Sequence, residues 1–171
     1  GFCHPVGFQH GNAKSLLEVA GDLRRQRGRT GADETQGCSL WNVRLASHER
    51  VVVADDDVRY RTAELDAVLD AAERHDLVSP QNYFAPLVWH AAWDSARSIL
   101  NRATGHDYPG TVGVRRSTFL RLGGYDGDAL FENLELMRTV EAGGGSVLHA
   151  RGLHVARRPP TTRHFLSQRV R

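Results

Sequence analysis

The stretch Val51-Val52-Val53-Ala54-Asp55-Asp56-Asp57-Val58 constrains this chain more than any other. Four apolar residues run straight into three carboxylates. A short, β-branched apolar run reads as a strand covered on both faces. The acids then stand where that strand leaves its sheet, and open α/β sheets bind ligands outside the carboxyl ends of their strands. Side chains alternate along an extended chain, so Asp55 and Asp57 point one way and Asp56 the other. Two carboxylates on one side repel each other unless a cation lies between them. A hard divalent ion takes oxygen ligands, and Mg²⁺ is usually held by one or two carboxylates plus substrate phosphates. The pattern therefore predicts a metal–diphosphate site. The plainer reading is an acidic, solvated loop that serves the N-terminus of the next helix.

The chain has 171 residues, 40% of them hydrophobic, enough for one domain with a real core. Nothing at its start resembles a signal peptide, and no apolar run approaches the ~18 residues that a membrane span needs. A formal charge of +2 implies no global polyanion partner, so nucleic acid is not expected. The charge is uneven, however: residues 151–171 hold six Arg and no acid, which suggests a local anionic ligand or surface. Cys3 and Cys38 form no CxxC and no Cys/His metal spacing, which favours a reduced, cytosolic setting. The nine His are scattered, without an HExxH pair.

Helical periodicity is clearest from Thr62 to His75, where Leu65, Val68, Leu69 and Ala72 make one apolar stripe. Leu16, Ala20 and Leu23 mark a helix entered through Asn12 and Lys14; that lysine either reaches a phosphate or is solvated surface. Trp89, Ala92, Trp93, Ala96 and Ile99 form a further stripe, with the two Trp read as core and Gly105 as the C-cap. Ser117 is a candidate cap for a short helix, Thr118 to Leu122, that stops at Gly123-Gly124. A last stripe, Leu130, Leu134, Met137 and Val140, ends at Gly143-Gly144-Gly145 and puts Glu132 and Glu135 side by side. Strands are expected over Cys38–Leu45, at Leu77–Ser79 (broken by Pro80, with a turn from Asn82 to Pro86), and over Thr111–Val114, Ser146–Leu148 and Gly152–Ala156. The alternation of strand and helix predicts an α/β sheet.

In this order, the pieces resemble a family 2 inverting glycosyltransferase. Gly11-Asn12-Ala13-Lys14 is similar to the family's Gly/Asn-x-Lys segment, and Ala54-Asp55-Asp56-Asp57-Val58 to its DxD motif. Val114-Arg115-Arg116-Ser117 followed by Leu122-Gly123-Gly124-Tyr125-Asp126 looks like its RR…GG(Y/F)D segment. Leu130-Phe131-Glu132-Asn133-Leu134-Glu135-Leu136 sits where its acidic motif is expected, and Gln168-Arg169-Val170-Arg171 looks like the start of QxxRW.

The resemblance covers about Gly11 to Arg171. It implies a GT-A fold, a Rossmann-like mixed sheet flanked by helices and incomplete at the N-terminus. Residues 1–171 are then a single partial catalytic domain, with the base-binding βα units expected before Gly1 and the Trp and membrane-associated helices after Arg171.

The implied activity moves a sugar from a nucleotide-diphosphate sugar to an acceptor hydroxyl; the sequence does not name the acceptor, for which a lipid and a glycan are the candidates. Asp55 and Asp57 are the expected ligands of Mg²⁺ or Mn²⁺. Lys14, Asp56, Gln168, Arg169 and Arg171 are the expected substrate contacts. The family's usual Asp base is replaced by Asn133, whose amide cannot accept a proton at neutral pH, so the role passes to Glu132, with Glu135 as the alternative. The implied location is cytoplasmic, at the inner face of the cell membrane, which the part beyond Arg171 would contact. Three rival readings stand beside this one, the weakest being a basic surface module for membrane or nucleic acid, argued from the Arg-rich tail. A haloacid-dehalogenase-type phosphatase shares the strand-DxD pattern but expects a later Lys, and Lys14 is the only Lys. A catalytically impaired GT-A-fold binding protein is the reading that Asn133 favours.

Overall fold

The computed structural model describes residues 4–6, 43–44, 46–104, 108–123 and 132–169, with residues 4–6, Glu132, Gln168 and Arg169 described by their backbone. Among these residues the strands are β1 (His4–Val6), β2 (Arg50–Ala54), β3 (Val58–Arg59), β4 (Leu77–Phe84), β5 (Thr111–Arg115) and β6 (Val147–Arg157). The helices are α1 (Thr62–Ala71), α2 (Trp89–Ala103), α3 (Arg116–Arg121), α4 (Glu132–Ala142) and α5 (Thr162–Arg169). The strands form one mixed sheet in the order β1-β2-β5-β4-β6-β3, in which β3 is a two-residue edge. β4 and β6 are the parallel pair, and the other neighbours are antiparallel. The fold class is therefore mixed α/β.

Because β5 runs against both β2 and β4, those two strands share a direction, and β6 shares it through its pairing with β4. The carboxyl ends of β2, β4 and β6 thus lie along one edge of the sheet. Both faces are covered, as the valine run requires. Val51 and Val53 pack with Val112, Val114, Phe119 of α3 and Leu136, Met137 and Val140 of α4. Val52 faces the opposite way, onto Leu65, Val68 and Leu69 of α1. The α1 stripe is buried as its periodicity predicts, although the helix closes at Ala71 and turns before His75. Gly113 lets α1 approach: a Cβ there would fall 2.6 Å from Val68 Cγ1.

Several expectations need correction. Pro80 does not break its strand. The β4–β6 register steps from Pro80↔Ala150 to Gln81↔His154, so residues 151–153 form a bulge and both strands continue. For the same reason the two expected strands, Ser146–Leu148 and Gly152–Ala156, are one. Ser117 is not a cap; it lies inside α3, where its N–H and hydroxyl both bond to Glu49, and Arg115 holds the N-cap position. Val43 and Arg44 are helical, not extended. Trp89 and Trp93 are not core: they are 63% and 67% exposed, beside exposed Ile99 and Leu100. Helix α2 turns its other face inward, burying His90 and Ala91 and passing an Arg102 hydrogen bond to the Asn82 carbonyl (2.9 Å). His90 Nε2 lies 2.8 Å from the Pro160 carbonyl, and Trp89 and His90 both pack against Phe165 of α5. The helix from Asn12, Trp41 and Gly105 fall outside the described residues. No described helix is long and apolar enough to cross a membrane.

At the opposite edge, Asp76 ties three elements together. Its carboxylate accepts from Thr118 of α3 and from the backbone N–H (2.8 Å) and hydroxyl (3.0 Å) of Ser146 ahead of β6. The Thr118 hydrogen bond first, then those of Ser146, hold the carboxyl below its ordinary value of 3.8. A depressed carboxyl stabilises the fold above its unfolded pKa, and that contribution is lost as pH falls through the folded value.

Asp76→Asn is expected to cost about 1–3 kcal/mol at pH 7. It should also flatten the acid limb of the stability curve below about pH 4, as read by urea denaturation across pH. Gly113→Ala is expected to cost about 1–3 kcal/mol through overpacking against Val68, whereas Gly152→Ala, with open space around it, should stay within about 0.5 kcal/mol.

Candidate functional site

The site is built on the turn that follows β2. Asp55 N–H still donates to the Gly110 carbonyl (2.8 Å), extending the β2–β5 pairing by a residue, and Val58 N–H returns to the Asp55 carbonyl (3.1 Å) to close the turn. Val51 and Val53 face α4, so strand alternation carries Asp55 to that same side. After the turn, β3 pairs with the end of β6, Val58 opposite Arg157. Arg158 N–H donates to the Asp57 carbonyl (2.8 Å), and Ala85 N–H holds the Arg157 carbonyl (2.9 Å). This register delivers a guanidinium to the acids from about 100 residues away.

Arg157 joins the two carboxylates. Its Nε lies 3.0 and 3.1 Å from the two oxygens of Asp57, and its Nη2 lies 2.9 Å from Asp57 Oδ2 and 3.0 Å from Asp55 Oδ2. The side chains of Asp55, Asp57 and Arg157 are 43%, 27% and 22% exposed, so the trio is open to solvent on one side. Asp56 is exposed, and its carbonyl accepts from Arg59 (2.7 Å). The alternation argument thus separates the acids as it should. The cation between Asp55 and Asp57 here is a side chain of the chain itself.

The floor of the site is the 108–110 segment. Arg157 lies directly on Gly110, where a Cβ would sit 2.6 Å from Nη1, so a side chain at this position would make the guanidinium shift from its present seat. Asn82 of β4 fixes the segment: its Oδ1 accepts from Gly110 N–H (2.8 Å), and its Nδ2 donates to the Val155 carbonyl (3.3 Å). Arg157 also approaches the Phe84 ring (6.0 Å), and with Asn82, Tyr108 and Arg102 it lines a small hollow. Behind β5, the Thr111 hydroxyl donates to the Val53 carbonyl (2.8 Å), so Tyr60 is the donor in its 3.0 Å contact with Thr111. Burial pushes the Tyr60 phenol up to about 12, which keeps it protonated and structural.

The first turn of α4 reaches the same floor. Asn133 Nδ2 donates to the Pro109 carbonyl (2.9 Å), one residue from Gly110. The acidic turn and the helix that Glu132 opens are therefore joined through residues 109 and 110. Glu135 is half-buried on that helix. Lys14 and Arg171 lie outside the described residues, and Gln168 and Arg169 lie on α5. Sequence reasoning missed Arg157, Asn82 and Gly110. The acid-free, Arg-rich stretch was the one available signal for Arg157; the other two had none.

The donor set fits a hard divalent ion. Asp55 and Asp57 would offer such an ion oxygen ligands from one side of the turn, where two negative charges face a single positive one. No group of three or more His, Cys, Asp or Glu side chains assembles as a metal site among the described residues. Compared with known proteins, the chain matches no protein-family model, and no curated protein matches it significantly.

Asn133→Asp tests the floor. At neutral pH a carboxylate has no proton to donate to the Pro109 carbonyl, so the substitution should cost about 1–3 kcal/mol. Its carboxyl is expected to have a raised pKa in the folded state, so the deficit should shrink as pH falls through that pKa. Thermal melts at pH 7 and pH 4 read both effects.

Proposed function

We propose that the chain acts as a metal-dependent inverting glycosyltransferase of the GT-A type, moving a sugar from a nucleotide-diphosphate sugar to an acceptor hydroxyl. The observation that carries this reading is the convergence of Asp55 and Asp57 on one cationic seat at the carboxyl edge of β2, β4 and β6, with the start of α4 braced to the same floor. The sequence resemblance supplies the reaction, and the geometry supports it by putting the acids and the α4 motif at one place.

In this reading Asp55 and Asp57 hold Mg²⁺ or Mn²⁺ against the donor diphosphate. The ion's chemistry is that of a Lewis acid, offsetting charge on the departing nucleotide. Glu132 takes the proton of the acceptor hydroxyl as that oxygen attacks the anomeric carbon and the carbon–phosphate-oxygen bond breaks. One displacement inverts the centre. Asn133 does not share this role, because its amide already donates to Pro109 and accepts no proton. The Arg-rich end of the chain, Arg169 and Arg171 with Gln168, binds diphosphate or acceptor, and Lys14 binds phosphate. The acceptor is a lipid or glycan, and the protein works at the cytoplasmic face of a membrane.

The test is release of UDP or GDP from a panel of nucleotide sugars, using the full-length protein. Asp57→Ala is expected to abolish Mn²⁺-dependent turnover, and Glu132→Gln to lower kcat by roughly 10²–10⁴ with donor binding retained. Unchanged turnover and Mn²⁺ dependence in Asp57→Ala would remove the metal assignment. Release of inorganic phosphate from simple phosphoesters, with no sugar transfer, would replace the reading with the phosphatase one.

A further inference from the structure

Arg157 spends its guanidinium on the two carboxylates that the proposed function gives to the metal. It makes four contacts of 2.9–3.1 Å, three to Asp57 and one to Asp55. A divalent ion seated between those carboxylates and a guanidinium seated between them are alternatives, since like charges in one seat repel and the carboxylate oxygens are shared. We propose that Arg157 is the built-in counter-cation of this site: it competes with the divalent ion when no donor is present, and it transfers to the donor's diphosphate when ion and donor enter together. The inference rests on the reading of Asp55 and Asp57 as metal ligands.

Three features suit Arg157 to this part. Its backbone is pinned on both sides, by Val58 in β3 and by Ala85 after β4, so its origin is fixed while its side chain can move. Its guanidinium lies over Gly110, which has no side chain to hold it down, and on the rim of the small hollow lined by Asn82, Phe84 and Tyr108. A planar fork pairs with phosphate oxygens as well as with carboxylates, so moving from one to the other conserves its hydrogen bonding.

The consequence is a coupling. An ion arriving alone has to displace a guanidinium that gains no new partner. An ion arriving with a diphosphate displaces one that does. Metal and diphosphate should therefore each strengthen the other's binding, reciprocally, and Arg157 should carry part of that coupling. The arrangement keeps two adjacent carboxylates compensated in the resting protein and makes metal loading depend on donor.

The experiment measures Mn²⁺ binding to the full-length protein by electron paramagnetic resonance and calorimetry, with and without UDP, and so does not depend on turnover. Wild type is expected to bind Mn²⁺ weakly alone and at least tenfold more tightly with UDP. Arg157→Met should bind Mn²⁺ alone at least tenfold more tightly than wild type, and gain less from UDP. Adding Asp57→Ala to that variant should abolish the gain. Arg157→Lys keeps a positive charge but cannot fork across both carboxylates; it should fall between wild type and Arg157→Met, and it decides the question if Arg157→Met does not fold. Mn²⁺ affinity unchanged or weakened in both Arg157 variants, with UDP-dependent Mn²⁺ binding still requiring Asp57, would overturn the counter-cation role and leave the proposed function standing. No Mn²⁺ binding to wild type or variants, with or without UDP, would overturn both.

Discussion

Two carboxylates fixed side by side at the end of a strand repel each other, and a fold that puts them there has to bring a positive charge to meet them. In this protein that charge comes from Arg157, at the far end of β6. Much of the surrounding architecture serves the delivery. The bulge at residues 151–153 of β6, opposite Pro80 and Gln81, sets the register of β4 on β6, β3 pairs Val58 with Arg157, and Gly110 leaves room for the guanidinium. Arg157 is only partly buried, so the trio is held by geometry and hydrogen bonding together with a Coulomb attraction that water weakens.

The floor beneath the trio shows how one residue type can exclude a chemistry while supporting a site. Asn133 lies in the first turn of α4 and carries an amide, which accepts no proton at neutral pH. Its amide instead donates to the Pro109 carbonyl and so joins α4 to the segment on which Arg157 rests. A carboxylate there at neutral pH would lose that bond. The asparagine thus has a structural role of its own, and the base in the proposed function is the neighbouring Glu132.

Helix α2 marks a different limit. Its spacing of Trp89, Trp93 and Ala96 identifies an amphipathic helix, and the helix forms. Periodicity gives the stripe but not the direction it faces. Here the polar side is turned inward, because His90 and Arg102 find backbone carbonyls on Pro160 and Asn82, and the tryptophans are left outside.

Local pattern along the chain was enough to set the valine strand, the turn after it, the α1 stripe and the division of Asp55 and Asp57 from Asp56. These follow from periods of two and 3.6 residues, which are local properties of the chain. It could not determine that Pro80 lies in a continuous strand opposite a bulge of β6, that Arg157 lies between the two acids, or that Asn82 and Gly110 shape the floor beneath them. Each of those depends on the register between strands distant in sequence, and a register is fixed by packing and by hydrogen bonds that exist only once the sheet has assembled.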